Sequence, residues 1–222
     1  MRHPRLLIRL LPLLLAVWPS ALGAVPVRFE LERSQSHLYV VTHRAGALGF
    51  LGHEHAILAT EWSADLCFDP AAPASSPVRA EITVPTKALR IDTEEGRRLA
   101  GLDKGPGPHD VRKLQQKVLA AENLAAERYP SLHLKATSVT GGAGGKLQIQ
   151  GSFTLRGITE TVRFPVTIAS QQAGTVRLSG QFRVKQSTFG IKPESVSGVV
   201  NVADAVDVRF EILAKPTGKG CR

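Results

Sequence analysis

The chain has 222 residues, 43% hydrophobic and 21% charged, enough for one domain with a substantial core. Its formal charge of +9 comes from Lys and Arg scattered along alternating segments (Arg79, Arg163, Arg177, Arg183, Lys185). That is the pattern of a solvated sheet face, and it argues against a nucleic-acid-binding stripe.

In chain order, residues 1–24 read as a secretory signal. Arg2, Arg5 and Arg9 precede an apolar run from Leu10 to Trp18, and small residues follow, ending at Gly23 and Ala24. Cleavage there removes three arginines and no acid, taking the charge from +9 to +6. The apolar run is too short to span a bilayer and no later one is longer, so a soluble, exported, periplasmic protein is expected. The folded domain is expected over 25–215, with 216–222 as a flexible tail. Export permits a disulfide between Cys67 and Cys221. Their positions leave two free thiols as the alternative, and no Cys-x-x-Cys suggests redox chemistry.

Val27, Phe29 and Leu31 alternate with charged residues, and the alternation continues from His37 to His43. Arg44 to Gly52 reads as an irregular, glycine-rich loop. Ala56 to Phe68 reads as one long strand with Trp62, Ala64, Leu66 and Phe68 on one face. Val78, Ala80, Ile82 and Val84 define the next strand. Thr86 to Gly107 carries mixed signals. Asp110 is expected to cap the one helix, whose apolar stripe is Val111, Leu114, Val118 and Leu119, packed across the sheet or its opening. Leu132, Leu134 and Ala136 alternate, and Gly141 to Gly145 reads as a turn. Leu147 to Leu155 and Val162 to Ile168 flank Arg156-Gly157 as a β-hairpin. Val176 to Val184 and Val206 to Ile212 complete eight or nine strands. An antiparallel all-β sheet with one apolar face removes its exposed edges by closing, which predicts a barrel of about eight strands with one inserted helix.

Chemistry-bearing motifs are sparse. No Gly-x-Ser-x-Gly elbow, phosphate-cradling loop or His-Glu-x-x-His pair occurs, so the chain reads as a non-enzyme with no cofactor. His53 and His55, two apart on an extended segment, point the same way and are weak metal candidates with His43 or Glu54 nearby. A periplasmic metal- or haem-associated protein using that loop is the alternative function. Read from the residues alone, Trp62, Leu66, Phe68, Ile82, Val84, Phe153, Leu155, Phe164, Val166, Leu178, Phe182 and Phe210 are core. A barrel this size is either filled by side chains or wide enough for one slender ligand.

Tyr129-Pro130 before a strand, Gly151-x-Phe-Thr-Leu-Arg-Gly-Ile-Thr-x-x-Val162, and Phe189-Gly190-Ile191 together resemble the YceI family. Ser36-His37, Phe68-Asp-Pro70 and Ile91-Asp-Thr93 add weaker matches, so the likeness runs in order from about Phe29 to Ile212. Gly52-His-Glu-His55 and Lys104 to Pro108 depart from the family pattern. The resemblance implies a lipocalin-like antiparallel β-barrel in a lipid- or polyisoprenoid-binding periplasmic protein. It further implies that the twelve apolar residues above line a hollow interior that holds an isoprenoid or quinone-like lipid. Transient membrane contact fits such a partner and nucleic acid does not. The oligomeric state is left open.

Overall fold

The computed structural model describes residues 26–46, 52–74, 78–103, 105–142, 146–170, 172–196 and 200–221. The expected signal segment, most of the Arg44–Gly52 loop and residues 143–145 of the Gly141–Gly145 turn lie outside these residues.

Period-two alternation becomes strand in every run, with one of the runs interrupted. The hairpin joins β8 (Leu147–Leu155) to β9 (Ile158–Ser170), in register from Leu147 opposite Val166 to Leu155 opposite Ile158. Its two-residue turn holds Arg156 at φ 52° and Gly157 at φ 73°. Positive φ at both positions matches the twist of the flanking strands. A Cβ on Gly157 would also stand 3.0 Å from Tyr129.

The sheet closes. β1 (Val27–Leu31) pairs with β4 (Ser63–Phe68), then come β5 (Arg79–Pro85), β7 (Ser131–Gly141), β8, β9, β10 (Val176–Lys185) and β12 (Val200–Gly220), which pairs back to β1. This ring of eight antiparallel strands is the expected barrel. Its wall is not continuous to the far rim, because three strands break. β2 (His37–Ala45) continues β1 along β12; the short β3 (Ala56–Ala59) and β6 (Leu89–Ile91) continue β4 and β5. At the first break the Ser36 hydroxyl accepts the Leu213 N–H at 3.0 Å and donates to the Glu32 carbonyl at 2.8 Å, replacing ladder bonds. At the third, buried Thr86 donates its hydroxyl to the Tyr129 carbonyl at 2.6 Å. The expected single strand over Ala56 to Phe68 is therefore two, parted at Thr60 to Trp62, where the Thr60 hydroxyl bonds the Ala88 carbonyl. Below the breaks the ring is closed; above them β2, β3 and β6 splay into a flap that ends at β6.

Two α-helices occur among the described residues, one more than expected. α1 (Glu94–Ala100) lies outside the flap. Thr93 caps it by accepting the Gly96 N–H at 3.0 Å, and Gly101 ends it in the left-handed region. It covers Val41, Ala56 and Leu58, and Tyr39 donates to the Leu99 carbonyl at 3.1 Å. The cap and the acidic first turn were readable in the sequence. An apolar stripe was missing, since one leucine suffices for so short a contact. α2 (Pro108–Leu119) is the expected helix, but its N-cap is Gly107 with Pro108 at the first position. Asp110 sits inside the first turn, so it does not cap. The Gln115 amide binds the free edge of β6, accepting the Ile91 N–H and donating to the Leu89 carbonyl, both at 2.9 Å. An edge strand is thereby covered. No helix among the described residues is long and apolar enough to cross a membrane.

The residues from 216 onward do not form a free tail. β12 runs on to Gly220, which pairs with Val27, and Cys221 is disulfide-bonded to Cys67 with Cα atoms 6.0 Å apart. Because β1 is only five residues long, this bond ties its two neighbours across its end. Of the two possibilities open for the cysteines, the structure holds the pair.

Candidate functional site

All twelve residues expected to line the interior belong to one buried apolar cluster inside the ring. The alternation fixed their face correctly. Whether they enclose space is decided by how the rings meet. Phe164 stacks on Phe182 at 4.9 Å, Phe153 meets Phe182 edge-on at 5.5 Å, and Phe210 lies 6.1 Å from Phe164. Gly180 makes room for this, since a Cβ there would stand 2.6 Å from the tip of Phe210. The rings divide the interior. A pocket of about 90 Å³ remains on one side, against Leu66, Phe68, Ile82, Phe164, Val166, Leu178 and Phe210. One of about 60 Å³ remains on the other, against Ile82, Val84, Phe153 and Phe182. Trp62 and Leu155 line neither and serve as core.

The large space is elsewhere. Between the flap and α2 opens a cavity of about 850 Å³ with apolar walls from Ile57, Ile91, Leu114, Val118, Leu124, Ile191 and Val202. Its polar positions include Thr42, His53, His55, Lys113, Lys117, Gln186, Glu194 and Asn201. None of the twelve expected residues lines it. Ile57 lines both this cavity and the 60 Å³ pocket, and Phe189 packs beside them. This ring is 1% exposed, meets Phe153 edge-on at 5.5 Å, and lies between Gln186 and Ile191 of the cavity wall. Sequence reasoning placed the helix at the sheet or its opening but not the cavity, because the walls are assembled from a broken strand set, that helix and the Gln186–Phe189 turn, which are far apart in the chain.

The histidines divide. His55 faces the cavity and its Nδ1 lies 2.6 Å from Asp92 Oδ2. The side chain of Asp92 is fully buried; its other oxygen accepts from the Ala56 N–H at 3.1 Å and Arg97 at 2.9 Å. Burial alone would raise the Asp92 pKa, but hydrogen bonds from His55, Ala56 and Arg97 outweigh it and the pKa is lowered. Asp92 is held at φ 50°, an unusual cost for a side chain that these three donors hold in place. His53 also lines the cavity, its ring centroid 6.5 Å from that of His55. His43 is not brought to them. It pairs with Glu54 at 3.2 Å and with Asp207 at 2.9 Å, and it is not among the residues lining the cavity. Among the described residues no group of three or more His, Cys, Asp or Glu side chains is arranged to hold a metal ion.

Comparison with known proteins agrees with the architecture. The YceI-like domain family matches residues 29–214. No curated protein sequence matches. Among solved structures, BcnA of Burkholderia cenocepacia is 24% identical with a TM-score of 0.62, covering 84% of this chain and 100% of that one. A polyisoprenoid binding domain from Saccharophagus degradans, implicated in plant cell wall breakdown, is 10% identical with a TM-score of 0.55, covering 86% and 99%. A YceI protein of Campylobacter jejuni is 14% identical with a TM-score of 0.51, covering 71% and 82%. At these identities the likeness is one of fold.

Proposed function

The chain belongs to the YceI-like domain family, and on that premise we propose that it is an exported, periplasmic binding protein for an isoprenoid or similar amphiphilic lipid, with quinone-like lipids in the same class. It acts by sequestering the apolar tail and performs no catalysis on it. One observation carries this reading: a cavity of about 850 Å³ lies against the apolar barrel interior, sharing Ile57 with the 60 Å³ pocket, and Phe189 packs from its wall onto Phe153 of that pocket. The cavity falls in the roughly 300–1,000 Å³ range of small-molecule sites. The interior pockets of about 90 and 60 Å³ do not. A prenyl tail therefore enters by displacing Phe189 and spreading the Phe153, Phe182 and Phe164 rings. Burial repays that movement at about 0.8 kcal/mol per CH₂ and needs no polar partner along the tail. The Saccharophagus domain, described as polyisoprenoid-binding, supports the ligand class. The Cys67–Cys221 pair supports an oxidising compartment.

Native mass spectrometry of protein purified from the periplasm of its host tests this. The expected result is a co-purifying apolar mass that delipidation removes and added geranylgeraniol restores. Absence of both that mass and geranylgeraniol uptake would overturn the proposal. Leu178→Phe separates interior from mouth, because Leu178 lines the inner pocket. A folded variant that takes up the long tail as well as wild type would move the tail out of the barrel.

A further inference from the structure

Around the mouth, one side chain is oriented and left unused. The Asp92 carboxylate accepts from Arg97 and from the Ala56 N–H, and an ionised carboxylate only accepts. Its short contact with His55 therefore requires the proton on Nδ1 of that ring. In the neutral ring a proton on Nδ1 leaves Nε2, at the opposite edge, as an acceptor, and the ring lines the cavity. Among the described residues nothing bonds to that nitrogen. A second acceptor without a donor, the buried Oδ1 of Asn201, belongs to a residue of the same cavity. Buried polar atoms normally find partners. The Asn201 oxygen is buried without a partner, and Nε2 is another acceptor on the same lining that a ligand donor can use.

We propose that the mouth selects its ligand by a hydroxyl group, an alcohol or a phenol, that donates a hydrogen bond to Nε2 of His55. Asp92 acts as a positioning residue that fixes the tautomer, and Arg97 anchors Asp92. This rests on the carrier reading and narrows it: lipids ending in a free hydroxyl are preferred over the same lipids capped as ethers. Lys113 and Lys117 on the same cavity are matched by Asp110 and Glu194, and Lys117 is paired with Glu194 at 2.6 Å, so head-group charge by itself sets no preference.

The test uses two probes with one tail, geranylgeraniol and its methyl ether, competing against a dansyl-labelled prenyl probe. Wild type is expected to prefer the alcohol by about fivefold, the size of one net hydrogen bond. His55→Ala should lose that preference while still binding the ether, which also shows that the variant is folded. His55→Gln, with a carbonyl acceptor, should regain part of it. Asp92→Asn supplies a readout that a merely structural role would not move. Its amide would favour the Nε2–H tautomer and turn the preference toward the ether. Equal affinity of wild type for both probes would overturn the inference and leave the carrier reading intact. An alcohol preference that survives in His55→Ala would overturn it as well. Failure of wild type to bind either probe would overturn both readings together. Stoichiometric Zn²⁺ binding that His53→Ala and His55→Ala each abolish would make the ring a metal ligand and also overturn it.

Discussion

Truncating Phe189 to alanine tests the arrangement of mouth and interior most directly. The ring is 1% exposed and packs edge-on against Phe153, so its loss removes a full aromatic contact and opens a gap beside the 60 Å³ pocket. Phe→Ala in a core costs about 3–5 kcal/mol, combining lost transfer energy with the cavity left behind. For a domain of this size each kcal/mol moves Tm by about 2–4 °C, so ligand-free Phe189→Ala should melt about 6–20 °C lower. The same gap is expected to join the pocket to the mouth, so association of a prenyl probe followed by stopped-flow fluorescence should speed up. Bound probe should also recover part of the lost Tm, because its tail fills the vacated space. The two readouts have to move in opposite directions. A variant that is destabilised but binds at the wild-type rate would show that Phe189 is core and not a barrier. One that melts within about 2 °C of wild type would refute the packing argument itself.

Reducing Cys67–Cys221, or replacing both by alanine, opens a closed loop of 154 residues and should lower unfolding free energy by about 2–5 kcal/mol in denaturant titrations. A midpoint unchanged by reductant would count against the bond. Asp207 gives a pH prediction. Hydrogen bonding to Arg183, then to His43, outweighs its partial burial and lowers its pKa from 3.8 to about 2. A carboxylate with a depressed folded pKa contributes fully above its unfolded value and loses that contribution as pH falls toward the folded one. Stability should therefore drop between about pH 4 and pH 2, and less steeply in Asp207→Asn; identical acid profiles for the two proteins would remove Asp207 from the account. Gln115→Ala strips both hydrogen bonds from the edge of β6 and is expected to cost about 1–3 kcal/mol. Light scattering should then detect self-association through the bared strand, and a monomeric variant of wild-type stability would show that the edge needs no cover.

Among the residues of the barrel interior and the cavity above it, legibility followed periodicity. Phe153, Phe164, Phe182 and Phe210 each sit at an inward position of an alternating run and were found. Phe189 has no periodic signal, because it lies in a turn of 3-10 helix after β10, where period two has ended. His55 stood out for its spacing from His53. Its real partner, Asp92, is 37 residues away and meets it only because β6 pairs with β3. His43, close to His55 in sequence, is instead drawn to Asp207 on β12. For the same reason the cysteines stayed ambiguous: 154 residues separate them, and only the register of β1 between β12 and β4 puts them together.

Local alternation was sufficient to establish an antiparallel sheet, its apolar face, the hairpin turn at Arg156-Gly157 and the economy of closing into a barrel. Those properties follow from side chains two apart sharing a face, which any short window reveals. Space inside the wall is of another kind. It depends on rings from four or five strands meeting across the axis, on Gly180 yielding to Phe210, and on three strands breaking to open a mouth. Only the folded arrangement sets those distances, so only it decides that the roomy cavity lies beyond the ring of phenylalanines and that the interior keeps two small pockets.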